Sequence, residues 1–164
     1  MSTETNTERG IVFRSTGSWY DVQDSSGENI RCRIKGKMRL KGLRSTNPIA
    51  VGDAVQFIRS KDGTGSIDSI EVRRNYIVRK SVNLSKETHI VASNLDRAYL
   101  IVTIAKPRTS SGFIDRFLVT AEAYGIPTTI VFNKFDLLSS DKEAILRQEE
   151  LEGIYTRAGY ETMR

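Results

Sequence analysis

The stretch TTIVFNKFDLL (Thr128–Leu138) decides how the second half of this chain is read. With Ile126 and Pro127 it forms IPTTIVF (126–132), an apolar, β-branched run that predicts a strand, ended by the polar NKFD. Working upstream, GFIDRFLVTAEAYG (112–125) has helical spacing: Ile114, Phe117, Leu118, Ala121 and Tyr124 share one face, and Gly125 is a stop. Before it, RAYLIVTIA (97–105) reads as another strand, suited to being covered on both faces. Downstream, Ser140 and Glu143 predict a capping box that opens a second helix, ending at Gly159. Strand, helix, strand, helix predicts part of a parallel sheet. Two strands and two helices are too few to bury both faces, so 97–164 is expected to be an incomplete α/β domain that continues beyond Arg164.

Ligands of open parallel sheets bind outside the carboxyl ends of the strands, where Asn133, Lys134, Phe135 and Asp136 fall. These residue types suit a guanine base. An ionised carboxylate only accepts hydrogen bonds, so Asp136 can take both the N1–H and the N2 amino group of guanine, donors that adenine does not offer there. Asn133 supplies an amide for the Hoogsteen edge, and the Lys134 stem can lie over the base. A chance tetrapeptide making a βα turn is the plainer alternative; the preceding strand, the βαβ pattern and the Leu137–Leu138 that follow favour the base site. A nucleotide site also needs a phosphate cradle, G-x-x-x-x-G-K-[ST] between strand and helix. None occurs before Asn133. Either the base reading fails, or the domain is permuted and its phosphate half follows Arg164.

The first half is built differently. GIVFRSTGSWYDVQ predicts two strands around Thr16–Gly17, DSSGE leads into NIRCRIK, and AVQFIRS and SIDSIEV flank the Asp62–Gly63 turn. Five or six short strands in about 70 residues predict a small closed barrel or sandwich over 10–80. Residues 1–9 are polar and expected to be disordered, and 81–96 reads as a connection. RCRIKGKMRLKGLR (31–44) carries Arg31, Arg33, Lys35, Lys37, Arg39, Lys41 and Arg44, and no acid lies between Glu28 and Asp53. A solvated strand face is the bland reading; the uncompensated charge favours a grip on RNA. Trp19 or Tyr20 could stack on bases or pack inward. Residues 1–80 hold 15 basic and 9 acidic side chains, and 81–164 hold 10 and 11, which argues for two units with different partners. No run approaches the roughly 20 apolar residues that span a bilayer. The single cysteine, Cys32, excludes an internal disulfide framework and reads as a buried side chain. His89, the only histidine, is given no role.

The order of basic barrel, NLSKETHIVASNLDRAYLIVTIAKP, FIDRFLVTAEAYGIP and FNKFDLL resembles ribosome small-subunit-dependent GTPase A. The resemblance runs from about Gly10 to the end. It implies an OB-fold barrel followed by a circularly permuted, P-loop GTPase-like α/β domain, with a zinc-binding domain beyond this chain. It implies GTP hydrolysis with Mg²⁺ in the intact protein, stimulated by the small ribosomal subunit late in its maturation. On the family pattern Asn133, Lys134 and Asp136 match the guanine-specificity motif, with Phe135 at its free position. The chain itself is expected to carry no catalytic residue and no metal ligand. GKMRLKGLR…VGD also resembles the OB domain of bacterial translation initiation factor one, in which the strand ends near such a glycine. Lys37, Arg39, Lys41 and Arg44 would then fan out from a turn and loop. The expectation is a cytoplasmic monomer with GTP or GDP, the small ribosomal subunit and its rRNA as partners, and no membrane. The alternative is a non-enzymatic OB-fold RNA-binding module with an α/β appendage.

Overall fold

The computed structural model describes residues 6–34, 48–80, 88–138 and 141–164. They form two compact units, Met1–Leu95 and Asp96–Arg164. In the first unit β1 (Thr7–Ser15), β2 (Tyr20–Asp24), β3 (Asn29–Ile34), β4 (Ala54–Arg59) and β5 (Gly65–Ile70) close a barrel in the order β1-β2-β3-β5-β4. All pairings are antiparallel except β3 with β5, where Cys32 pairs with Gly65 and Ile34 with Ile67. The alternation seen in the sequence sets the inside: Val12, Tyr20, Val22, Ile30, Cys32, Ile49, Val55, Phe57 and Ile67 make one buried cluster. Gly65 must lack a side chain, because a Cβ there would stand 2.4 Å from the Cys32 Sγ. Burial pushes the Cys32 thiol up to about 11, so it stays protonated and serves as a small apolar filler.

Two expectations about this unit are corrected. β1 begins at Thr7, inside the segment expected to be disordered, because Thr7, Glu8 and Arg9 pair with Ile58, Phe57 and Gln56. Arg59 also holds the Glu8 carboxylate, at 3.1 and 3.0 Å. The expected connection 81–96 contains β7 (Thr88–Ser93), which pairs antiparallel with β6 (Tyr76–Lys80). That hairpin is tied to the barrel through Asp53, which is fully buried. The Asp53 carboxylate accepts from Arg73 at 2.7 and 2.6 Å, from the Ser93 hydroxyl at 2.6 Å and from the Ala50 N–H at 2.9 Å. Removing one partner of such a buried pair typically costs about 3–5 kcal/mol, because the other charge is left uncompensated. Gly52, at φ +88, lets the chains meet, since a Cβ there would lie 2.0 Å from the Ser93 carbonyl oxygen.

The second unit holds β8 (Ala98–Val102), α1 (Ser111–Ala123), β9 (Thr128–Phe132), a 3-10 turn (Phe135–Leu138), α2 (Lys142–Arg157) and β10 (Glu161–Met163). The three strands are parallel in the order β10-β9-β8. The short β10 goes beyond the two strands expected. Ile114 and Leu118 of α1 and Leu151 and Tyr155 of α2 pack in one cluster with Leu100, Val102, Ile130 and Phe132. Both helices therefore cover the same sheet face. The alternate residues Tyr99 and Ile101 are 61% and 62% exposed, so the described residues cover one face of β8. α2 is capped by Asp141, whose side chain accepts from the Ala144 N–H at 3.0 Å; Ser140, the cap expected from the sequence, lies outside the described residues. The tyrosine hydroxyl of α2, Tyr155, donates to Asp115 of α1 at 2.9 Å and locks the two helices together.

Candidate functional site

β9 delivers Asn133 to the carboxyl end of the sheet's middle strand, and its N–H donates to the Val102 carbonyl at 2.8 Å, extending the ladder by one residue. The chain then reverses. Lys134 takes a left-handed conformation at φ 64, which costs roughly 1–2 kcal/mol for a residue with a Cβ. Two bonds offset this: the Lys134 N–H donates to Asn133 Oδ1 at 2.8 Å, and the Lys134 ammonium donates to the Lys106 carbonyl at 3.0 Å. The Leu137 N–H donates to the Lys134 carbonyl at 3.1 Å and closes the turn. With its oxygen engaged, Asn133 offers its amide N–H groups, the polarity that acceptor atoms O6 and N7 of a guanine require. Asn133 and Asp136 are both exposed, and Lys134 is half-buried. The Phe135 ring lies 5.3 Å beneath the Arg164 guanidinium, which also donates to Glu152 at 2.9 and 2.7 Å. The four expected residues thus share one turn, with the Arg164 guanidinium over the Phe135 ring.

The carbonyl of Lys106 was not foreseen. It belongs to a closed loop in which the Thr109 N–H donates to Thr103 O at 2.8 Å and the Thr103 N–H to Thr109 Oγ1 at 3.1 Å. The only hint in the sequence is the Lys-Pro pair that interrupts the run after β8. Two clefts of about 540 and 470 Å³ flank this loop and share Ala105 and Asp141 among their lining residues. Asn133 and Asp136, both exposed, line neither of these two clefts. Among the described residues no three His, Cys, Asp or Glu side chains converge as a metal site.

On the barrel, Arg31 and Arg33 project outward from β3, and Cys32 between them is in the core. Tyr20 is buried opposite Cys32, and its hydroxyl donates to the Gly17 carbonyl at 3.3 Å. Trp19 therefore turns outward. The Arg33 guanidinium lies 3.7 Å and that of Arg31 4.7 Å from its ring centroid. Lys35, Lys37, Arg39, Lys41 and Arg44 lie outside the described residues.

A closed five-stranded barrel followed in the chain by a parallel α/β unit with the NKFD turn at its strand ends defines a class, the OB barrel followed by a permuted GTPase-like domain. Residues 9–67 match the model of the RsgA N-terminal domain and residues 70–164 that of the RsgA GTPase, so the chain belongs to the RsgA GTPase family. It is 53% identical over 158 residues to the small ribosomal subunit biogenesis GTPase RsgA of Flavobacterium johnsoniae, covering 94% of this chain and 48% of that protein. It is also 53% identical to RsgA 2 of Bacteroides thetaiotaomicron over 152 residues, or 93% of this chain and 48% of that protein. Among solved structures it resembles YjeQ from Thermotoga maritima with a TM-score of 0.69 and 35% identity, over 96% of this chain and 52% of that one. It also resembles YloQ, described as a circularly permuted GTPase, with a TM-score of 0.67 and 25% identity, over 99% of this chain and 53% of that one. The chain spans about half the length of the curated relatives it matches.

Proposed function

We propose that this chain carries the RNA-docking barrel and the guanine-reading part of a GTP hydrolase that acts on the small ribosomal subunit. The observation that carries the reading is the Asn133–Asp136 turn at the carboxyl end of the middle strand, with the Asn133 oxygen engaged and its donors left for a base. Asp136 accepts from the N1–H and N2 amino group of guanine, Asn133 donates to O6 or N7, and the Lys134 stem covers the base. Phe135, pinned by Arg164, keeps the turn in shape. These residues choose and orient the nucleotide, and none of them breaks a bond.

No phosphate-loop sequence occurs in the 164 residues, and no cluster of three ligating side chains occurs among the described ones. Arg31 and Arg33, with Lys35, Lys37, Arg39, Lys41 and Arg44, contact ribosomal RNA. The protein works in the cytoplasm as a monomer, and among the described residues no helix is long and apolar enough to cross a membrane. The test uses the protein at the length of its relatives and compares GTP hydrolysis with and without purified small ribosomal subunits. Stimulation is expected, and an unchanged rate contradicts the assignment of the partner.

A further inference from the structure

The outer face of β2 and β3 carries more order than a solvated strand requires. Tyr20 pairs with Cys32 and both point inward, so Asp21 of β2 shares the outer face with Arg31 and Arg33 of β3, and Trp19, just before β2, lies against the two arginines. Asp21, the acid set among these cations, is taken by Arg14 at 2.6 Å. Among the described residues no carboxylate pairs with Arg31 or Arg33. Two like charges one pleat apart repel, and here both are held against a single indole. At 3.7 Å from the ring centroid, the Arg33 guanidinium is at stacking distance. Its inner face is covered by Trp19, and the residue remains exposed.

We propose that Trp19 is the bed that holds Arg31 and Arg33 as a preformed grip for single-stranded RNA. One unstacked base lies on the open face of the Arg33 guanidinium, and the outer N–H groups of both arginines take phosphate oxygens. This rests on the reading that the basic face of the barrel meets RNA, and it adds what that face selects. Guanidinium planes, like aromatic rings, are surfaces on which splayed bases stack, whereas a duplex keeps its bases stacked on one another and offers mainly phosphates and 2′-hydroxyls. Holding the two side chains in place beforehand removes much of the rotamer freedom they would otherwise lose on binding. Trp19 is thus a positioning residue: it acts through the arginines.

Trp19 is the only tryptophan in the chain, so its emission reports on this site alone. The chain is titrated with a short single-stranded RNA and with a duplex of the same length. The single strand is expected to change the emission saturably and to bind about tenfold or more tighter than the duplex. Arg33→Lys keeps the charge but has no plane to stack on. It should weaken single-strand binding about tenfold with an unchanged salt slope. Trp19→Leu should weaken binding similarly, and Trp19→Phe should stay within about threefold of the parent, both read from the fluorescence anisotropy of an end-labelled RNA because these variants have no tryptophan; far-ultraviolet circular dichroism checks that each variant is folded. Arg31→Ala with Arg33→Ala should weaken binding and lower the salt slope by about 1.4, at about 0.7 per single-strand phosphate contact. If that pair leaves RNA binding unchanged, the basic-face reading itself fails. If it weakens binding while Arg33→Lys and Trp19→Leu do not, or if the duplex binds as tightly as the single strand, the stacking grip alone is overturned.

Discussion

Asp24 sits at the turn between β2 and β3, where one carboxylate serves several donors. The Ser26 hydroxyl, the Ser26 N–H and the Glu28 N–H donate to one oxygen at 2.7, 2.8 and 3.0 Å, and Arg59 donates to the other at 2.8 Å. The Ser26 hydroxyl leads in holding this carboxyl below its usual range, with the two N–H groups and Arg59 adding to it against the opposing effect of desolvation. A depressed folded-state pKa stabilises the protein above the unfolded carboxylate range, about pH 4, and that stability is lost as pH falls through the folded value. Glu71, held down by Arg9, acts in the same direction. Melting temperature recorded from neutral pH into acid should therefore fall below about pH 4. Asp24→Asn should start lower at neutral pH and lose less on acidification, so that the two curves converge. Parallel curves for the variant and parent contradict this role for Asp24. At this scale the sequence left one choice open that pairing decides: adjacent Trp19 and Tyr20 cannot both face inward, and the Tyr20–Cys32 register sends Trp19 out.

Among the elements, α2 combines a legible pattern with one residue that breaks it. Its buried face runs Ala144, Gln148, Leu151, Tyr155. Gln148 is 1% exposed, and among the described residues neither its amide nitrogen nor its oxygen has a hydrogen-bond partner. Leaving a buried polar group unsatisfied costs about 1–3 kcal/mol, and Met has a similar length without that demand. Gln148→Met should raise the unfolding free energy by about 1–3 kcal/mol in urea titration, and a loss of stability shows that the amide is needed. Helix α1 and strands β1 to β5 were readable because long periodic runs ended in Gly or Asp-Gly turns. Three features were not. Ser140 and Asp141 are equally good caps by type, and only backbone geometry selects Asp141. β10 is three residues long, too short to show a period. β7 owes its place to pairing with β6 and to the Asp53–Arg73–Ser93 cluster, neither of which leaves a local signal.

For the whole molecule, family matching and packing divide the chain at different points. The RsgA GTPase match begins at residue 70, yet the β6–β7 hairpin packs with the barrel, and the compact boundary falls between Leu95 and Asp96. The hairpin is thus GTPase-family sequence built into the barrel's unit. Of the basic stretch proposed to meet RNA, Arg31 to Ile34 belong to β3, and the charge of the remainder is read from the sequence. The base-type turn was legible because its four residues are contiguous and follow a strand. The Lys106 carbonyl that steadies it was not, since a backbone acceptor has no residue type.

We propose that Asp136 chooses guanine. Asp136→Asn, made in the protein at the length of its relatives, places an N–H donor opposite the donor edge of guanine and favours xanthine, whose 2-position carries an acceptor. Dissociation constants for GDP and xanthosine diphosphate, measured by isothermal titration calorimetry on parent and variant, test it directly. A reversal of preference is expected, with guanine binding weakened by about 100-fold or more, as when polar groups that the bound base buries are left unpaired. An unchanged preference for guanine in the variant contradicts it.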